Sequence, residues 1–228
     1  AWYLSDSNAD YLKYVFPAGT TIVSGGYLVI DENDFNAEGG LGPGDFQLSS
    51  FGDDVTLLSS DGSGRPLKFM DRVEFKVTLS GVSLGRVPNG DVNDQLVPQT
   101  RVTLGAVNLG HRPGEIVVSE VHFNPPAADD TGREFVELFN TTAAPIDLGG
   151  WRLNGVDHVF DGGALIGPGE YRVVAENITA YQHAYANAEV VIGDYAGNLD
   201  NGGETLTLEM PVGSNAWMEI DKVRYDDT

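Results

Sequence analysis

Residues 133–153 read REFVELFNTTAAPIDLGGWRL. Within them Glu134-Phe135-Val136-Glu137-Leu138-Phe139-Asn140 alternates polar with apolar side chains, as a half-buried strand does when successive side chains leave on opposite faces. Pro145-Ile146-Asp147-Leu148-Gly149-Gly150 then reads as a turn into a second strand, whose Trp151 is expected to enter the core. Stretches of the same kind lie on both sides: TIVSGGYLVI, DVTLLSS, RVEFKVTL, EIVVSEVHF, YRVVAEN, EVVIGDY and TLTLEM. Each is rich in β-branched and aromatic residues and bounded by Gly, Pro, Asn or Asp, the pattern of strands between turns. The 29 glycines and 11 prolines come too often for long helices. Short helical turns are expected only around residues 31–35 and 179–185. The fold class is all-β, built of antiparallel sandwiches.

Outward from this stretch the chain repeats itself. WYLSD, PAGTTIVSGGYLVIDENDF, LSSFGDDVTL and DRVEF, beginning at Trp2, return as WRLNG, GGALIGPGEYRVVAENI, LDNGGETLTL and DKVRY, beginning at Trp151. Trp2 and Trp151 stand 149 positions apart, Leu48 and Leu199 stand 151, and Asp71 and Asp221 stand 150. A nearly constant offset over a domain's length is the mark of tandem duplication. The later copy is preceded by residues 116–150, for which the earlier copy has no counterpart, so the sequence is expected to open inside a domain.

Composition narrows the function. Thirteen Lys and Arg against 34 Asp and Glu give a formal charge of −21, which repels nucleic-acid phosphates and anionic membranes. The absence of cysteine excludes disulfides, thiolate nucleophiles and zinc–thiolate sites. No apolar run reaches the roughly 20 residues that span a bilayer, and no signal-peptide pattern stands at Ala1. A glycine-rich, acidic, cysteine-free β chain leans toward an extracellular or cell-surface setting.

The later copy, with IVVSEVHFNPP, REFVELFNTTAAPIDLGGWRL, ALIGPGEYRVVAEN, LDNGGETLTL and DKVRYDD in order, resembles the lamin-tail domain family. That resemblance implies an immunoglobulin-like β-sandwich and a role in scaffolding and interaction more than in chemistry. From Trp2 to Asn108 the resemblance covers the later part of the domain, including the SLGRVPNG and TLGAVN tail. The expected organisation is an incomplete sandwich with an irregular tail over residues 1–110, a linker over 111–114, and a second sandwich over 115–228. An open sandwich exposes unpaired backbone and apolar core, so strands from upstream or from a neighbouring chain are expected to complete the first copy.

Candidate chemistry is sparse. Gly81-Val82-Ser83-Leu84-Gly85 fits a nucleophile elbow, but that device needs a strand turning sharply into a helix, and here it sits in a Pro/Gly-rich tail. Ser83 is read as part of a turn. His111, His122, His158 and His183 lie far apart without metal-ligand spacing. Calcium takes six to eight oxygens from turns rich in Asp and Asn, which makes Asp91, Asn93 and Asp94 the best candidate ligands among several acidic clusters. Asn140-Thr141-Thr142 and Asn177-Ile178-Thr179 match the glycosylation tripeptide. Aromatics such as Tyr3, Tyr11, Tyr14 and Tyr195 offer a glycan-binding face, yet Trp2 matches Trp151 and Tyr27 matches Tyr171, a repetition that favours core packing.

The function expected is therefore a non-enzymatic structural, adhesion or assembly module, with a protein partner or self-assembly through an open sandwich edge. The alternative is a calcium-dependent or carbohydrate-binding accessory domain of a secreted hydrolase.

Overall fold

The computed structural model describes residues 1–40, 42–61, 63–86, 96–126, 132–185 and 190–226. The chain divides into two compact units, Ala1–Arg112 and Pro113–Thr228. Asp91, Asn93, Asp94 and the Asp129-Asp130 pair lie outside the described residues.

The first unit contains β1 (Trp2–Ser5), β2 (Tyr14–Val15), the single turn α1 (Glu32–Phe35), β3 (Gly52–Ser60), β4 (Pro66–Lys76), β5 (Leu84–Arg86) and β6 (Leu96–Pro98). Four of these strands make one antiparallel sheet in the order β2-β1-β3-β4. The tail is more ordered than its composition suggests. Its β5 and β6 form a hairpin, and Gln99 is buried behind it. The Gln99 amide donates to the carbonyls of Gly85 and Val97, both at 3.1 Å, and accepts from the Gly110 N–H at 3.1 Å. Arg86 reaches back to Asp71 on β4 with two hydrogen bonds of 2.7 and 2.8 Å. This fork holds the Asp71 carboxyl below the usual carboxylate range. The Arg112 N–H still donates to Pro98, so the chain leaves the first unit only after that residue.

The second unit runs β7 (Ile116–His122), β8 (Phe135–Asn140), β9 (Ile146–Asp147), β10 (Arg152–Asn154), β11 (His158–Val159), β12 (Leu165–Ile166), β13 (Tyr171–Ala175), α2 (Ile178–Ala184), β14 (Val191–Asp194), β15 (Thr205–Pro211) and β16 (Trp217–Arg224). One sheet has the order β14-β13-β8-β7, the other β11-β10-β15-β16, and β9 pairs with β12 beside them. Val136, Leu138 and Val174 from the first sheet meet Leu153, Leu206 and Leu208 from the second, all fully buried, with Trp151 among them. This is the immunoglobulin-like sandwich that the resemblance implies, with the half-buried strand read in residues 134–140 as β8.

Two local features depart from simple alternation. Phe135 is buried although it points away from that core, because α2 covers the outer face and packs Tyr181 against Phe135, Val173 and Ala175. α2 itself is the crossover between β13 and β14, which pair parallel and so cannot be joined by a tight turn. Its first turn is capped by Asn177, whose side chain accepts from the Ala180 N–H at 3.0 Å. At the Asn201-Gly202-Gly203 turn, Gly203 has φ +95°, and a Cβ there would stand 2.7 Å from the Tyr225 carbonyl oxygen. Only glycine fits.

Candidate functional site

The two four-stranded sheets β2-β1-β3-β4 and β11-β10-β15-β16 correspond strand for strand. Leu4 faces Leu57 across β1 and β3 as Leu153 faces Leu208 across β10 and β15. Each long hairpin carries a bulge at the matching place, since Leu57 pairs with Asp71 and Leu58 with Phe69, while Leu208 pairs with Asp221 and Glu209 with Glu219. Met70 and Ile220 are the extra residues. Bulges bend a strand and re-aim its side chains, and both sheets bend at the same point.

What covers the two sheets differs. In the second unit β7, β8 and β13 lie over Trp151, which is 6% exposed, and over Leu153 and Leu208, which are 0% exposed. In the first unit no described strand lies over the matching face. Trp2 is 45% exposed and Met70 44%, while Leu4 and Leu57 are half-buried. A hollow of about 890 Å³ opens there, lined by Trp2, Val15, Phe16, Ile22, Leu28 and Met70 among others. Monomeric soluble proteins rarely leave contiguous apolar surface of this kind exposed.

The expectation that all four repeated aromatics are core residues is corrected here. Trp151 is in the core, but Trp2 stands on the open face. Tyr27 is exposed, and Tyr171 lies on the outer face of its sheet, tilted against Phe139 with ring centroids 4.5 Å apart. Burial of a repeated residue depends on the sheet facing it, and among the described residues that sheet is present in the second unit and not in the first. The strand predicted in TIVSGGYLVI is corrected for the same reason. Its counterpart β13 pairs with β8, residues 27–30 have no such neighbour among the described residues, and they form no ladder.

The remaining candidates have structural employment. Ser83 leads directly into strand β5, and its carbonyl accepts from the Gln99 N–H at 2.8 Å. His111 bridges to Gln99, His122 stacks on Phe135 at the end of β7, and His183 closes α2. The structure does not bring these histidines together: among the described residues no three His, Asp or Glu side chains are grouped to hold a metal ion. Asp31 and Asp34 form a reciprocal capping box on α1. Asp53 accepts from the Ser49 and Asp54 N–H groups, and Asp54 pairs with Arg72. No helix among the described residues is long and apolar enough to cross a membrane.

Asn140, the head of one glycosylation tripeptide, is fully buried with its amide saturated by four hydrogen bonds. Sequence reasoning missed this role and that of Gln99. Both are polar residues at strand ends beside loops, where a buried amide can satisfy several stray backbone groups at once.

His158 on β11 has a shifted titration. Its ring lies edge-on to Phe160 with centroids 4.6 Å apart, and packs over Gly193, where a Cβ would come within 2.7 Å of it. Burial lowers its pKa from the ordinary 6.5, against a smaller upward pull from Asp194. As pH falls below 6.5 the unfolded chain takes up a proton that the folded unit resists, so stability is complete above 6.5 and declines on acidification. Urea midpoints at pH 7 and pH 5 should therefore converge in His158→Phe relative to the parent chain. An unchanged difference would show that His158 does not carry the acid sensitivity.

No curated protein and no solved structure matches the chain. The profile of the Lamin Tail Domain matches residues 110–227. That domain is an immunoglobulin-like, non-enzymatic structural module, in agreement with the sandwich. With more than half of its 228 residues matched, the chain belongs to the lamin tail domain family.

Proposed function

We propose that this chain is a non-enzymatic assembly module of a larger extracellular or cell-surface protein, in which two lamin-tail-like units stand in tandem and the first joins a protein partner. The observation that carries the reading is the contrast between Trp151, buried at 6%, and Trp2, exposed at 45%, at matching places in matching sheets. Among the described residues this apolar face has no cover, and an uncovered apolar face of this size is suited to association. The charge of −21 keeps such a module soluble and turns it away from nucleic acid.

The test is made on the parent protein in its own cells. An antibody raised against this chain should label intact cells, and the gently released parent should scatter light as a particle larger than one copy. Labelling confined to lysed cells would overturn the surface setting, and a single-copy mass without a partner would overturn assembly. Stripping calcium with a chelator should leave the melting temperature of the chain unchanged. A drop of several degrees would instead favour the calcium-dependent accessory domain and draw attention back to Asp91, Asn93 and Asp94.

A further inference from the structure

α2 covers only part of the outer face of the sheet β14-β13-β8-β7. Beyond it β7 and β8 set two acids directly opposite each other, Glu120 facing Glu137, just after the bulge at Ser119. The side chains of such a pair leave the sheet on one face with Cβ atoms about 4.5–5.5 Å apart, and like charges at that spacing oppose the pairing of their strands. Glu120 is exposed and Glu137 half-buried. The Ser119 hydroxyl donates to the Glu137 carboxylate at 2.7 Å, but among the described residues no Lys, Arg or His stands within ion-pair distance of either acid. With 34 acids against 13 Lys and Arg, the chain as a whole adds to the repulsion.

β7 is the strand that this repulsion can move. It ends its sheet, and among the described residues β8 is its one ladder partner. On its other side the Asp221 carboxylate accepts from the Val118 N–H at 2.7 Å, next to the same bulge. β13, by contrast, is held between β8 and β14. Salt alters this balance because the Debye length falls from about 30 Å at 0.01 M to about 3 Å at 1 M, from well beyond the separation of the two acids to inside it.

We propose that β7 is a strap sensitive to ionic strength. In saline solution it lies closed on β8; in dilute solution the repulsion between Glu120 and Glu137 loosens it, while β13 stays in place. Loosening frees the edge of β8 and draws Ile116 and Val118 away from the core that they help to fill. The counter-ions act by screening, with no cation seated between the two acids.

The test follows hydrogen exchange of the whole chain in sodium chloride at about 0.01 M and about 1 M, with β13 as the internal reference. Protection of β7 relative to β13 should rise with salt by roughly two- to fivefold, the range of one cross-strand charge pair. Glu120→Gln should raise that relative protection in dilute buffer and flatten its dependence on salt. Glu120→Lys should reverse the sign, since screening then weakens an attraction to Glu137. Glu74→Gln, which makes the same change in net charge at an exposed position on β4 of the first unit, should leave the response of β7 as it is in the parent chain. A salt response as large in Glu120→Gln as in the parent would overturn the proposal. So would a rise at β13 equal to that at β7, which would assign the effect to the stability of the whole unit. Closure of β7 by millimolar calcium chloride in dilute buffer, where sodium and potassium chloride at the same ionic strength do nothing, would overturn screening in favour of a bound cation.

Discussion

Trp151→Ala should cost the second unit about 3–5 kcal/mol, the usual range for truncating a buried aromatic, whereas Trp2→Ala should cost the first unit less than about 1 kcal/mol. The two residues occupy matching places at matching sheets, so local structure cannot separate them. What separates them is cover. Trp151 is packed among Leu148, Leu153, Phe160 and Leu208, and its removal leaves a cavity that a two-sheet core closes poorly. Trp2 already meets water over nearly half its surface, and truncation there returns little apolar area to solvent. Denaturant unfolding, with hydrogen exchange at β8 and β15 reporting the second unit and at β3 the first, measures both costs in one chain. Equal losses would mean that the Trp2 face is closed in solution.

How far this was legible in the sequence follows from which interactions are local. Strand-forming stretches such as Phe135–Asn140 and Thr205–Pro211 declare themselves by composition and flanking turns, and both short helices fall where capping residues, Asp31 and Asn177, announce them. The alignment of the two copies even placed their bulged hairpins in common register, through Asp71 and Asp221. Residues 27–30 show the limit. GYLVI has the composition of a strand, but a strand exists only against a partner, and composition says nothing of whether the partner is there. Trp2 and Trp151 make the same point for burial. Gln99 and Asn140 were opaque for another reason: an amide that gathers stray backbone groups looks in sequence like any polar loop residue.

Asn140→Asp should be among the most damaging single-atom changes available in the chain. The side chain is fully buried where β8 ends, and its Nδ2 donates to the carbonyls of Ala144 at 2.8 Å and Ile166 at 2.9 Å. Its Oδ1 accepts from the N–H and the hydroxyl of Thr142 at 2.9 and 2.8 Å. One residue thereby fixes the 141–145 turn and ties β8 to β12. A carboxylate keeps the two accepted bonds but turns both donors into acceptors that face carbonyl oxygens, with a charge that no cation offsets. Breaking a buried polar arrangement so that a charge is left uncompensated costs about 3–5 kcal/mol. Because burial disfavours the ionised form, the introduced carboxyl must have a folded pKa above its unfolded value of about 3.9. The folded variant then binds the proton more readily than the unfolded one, and the damage is largest at neutral pH and eases as pH falls through the raised folded value. Protonation restores one donor. Asn140→Ala, which cannot titrate, should lose stability by the same amount at pH 7 and pH 5, relative to the parent chain at each pH. Measured as urea midpoints referenced in that way, a flat profile for Asn140→Asp, or a cost below about 1 kcal/mol, would show that the amide is not the hinge of this turn.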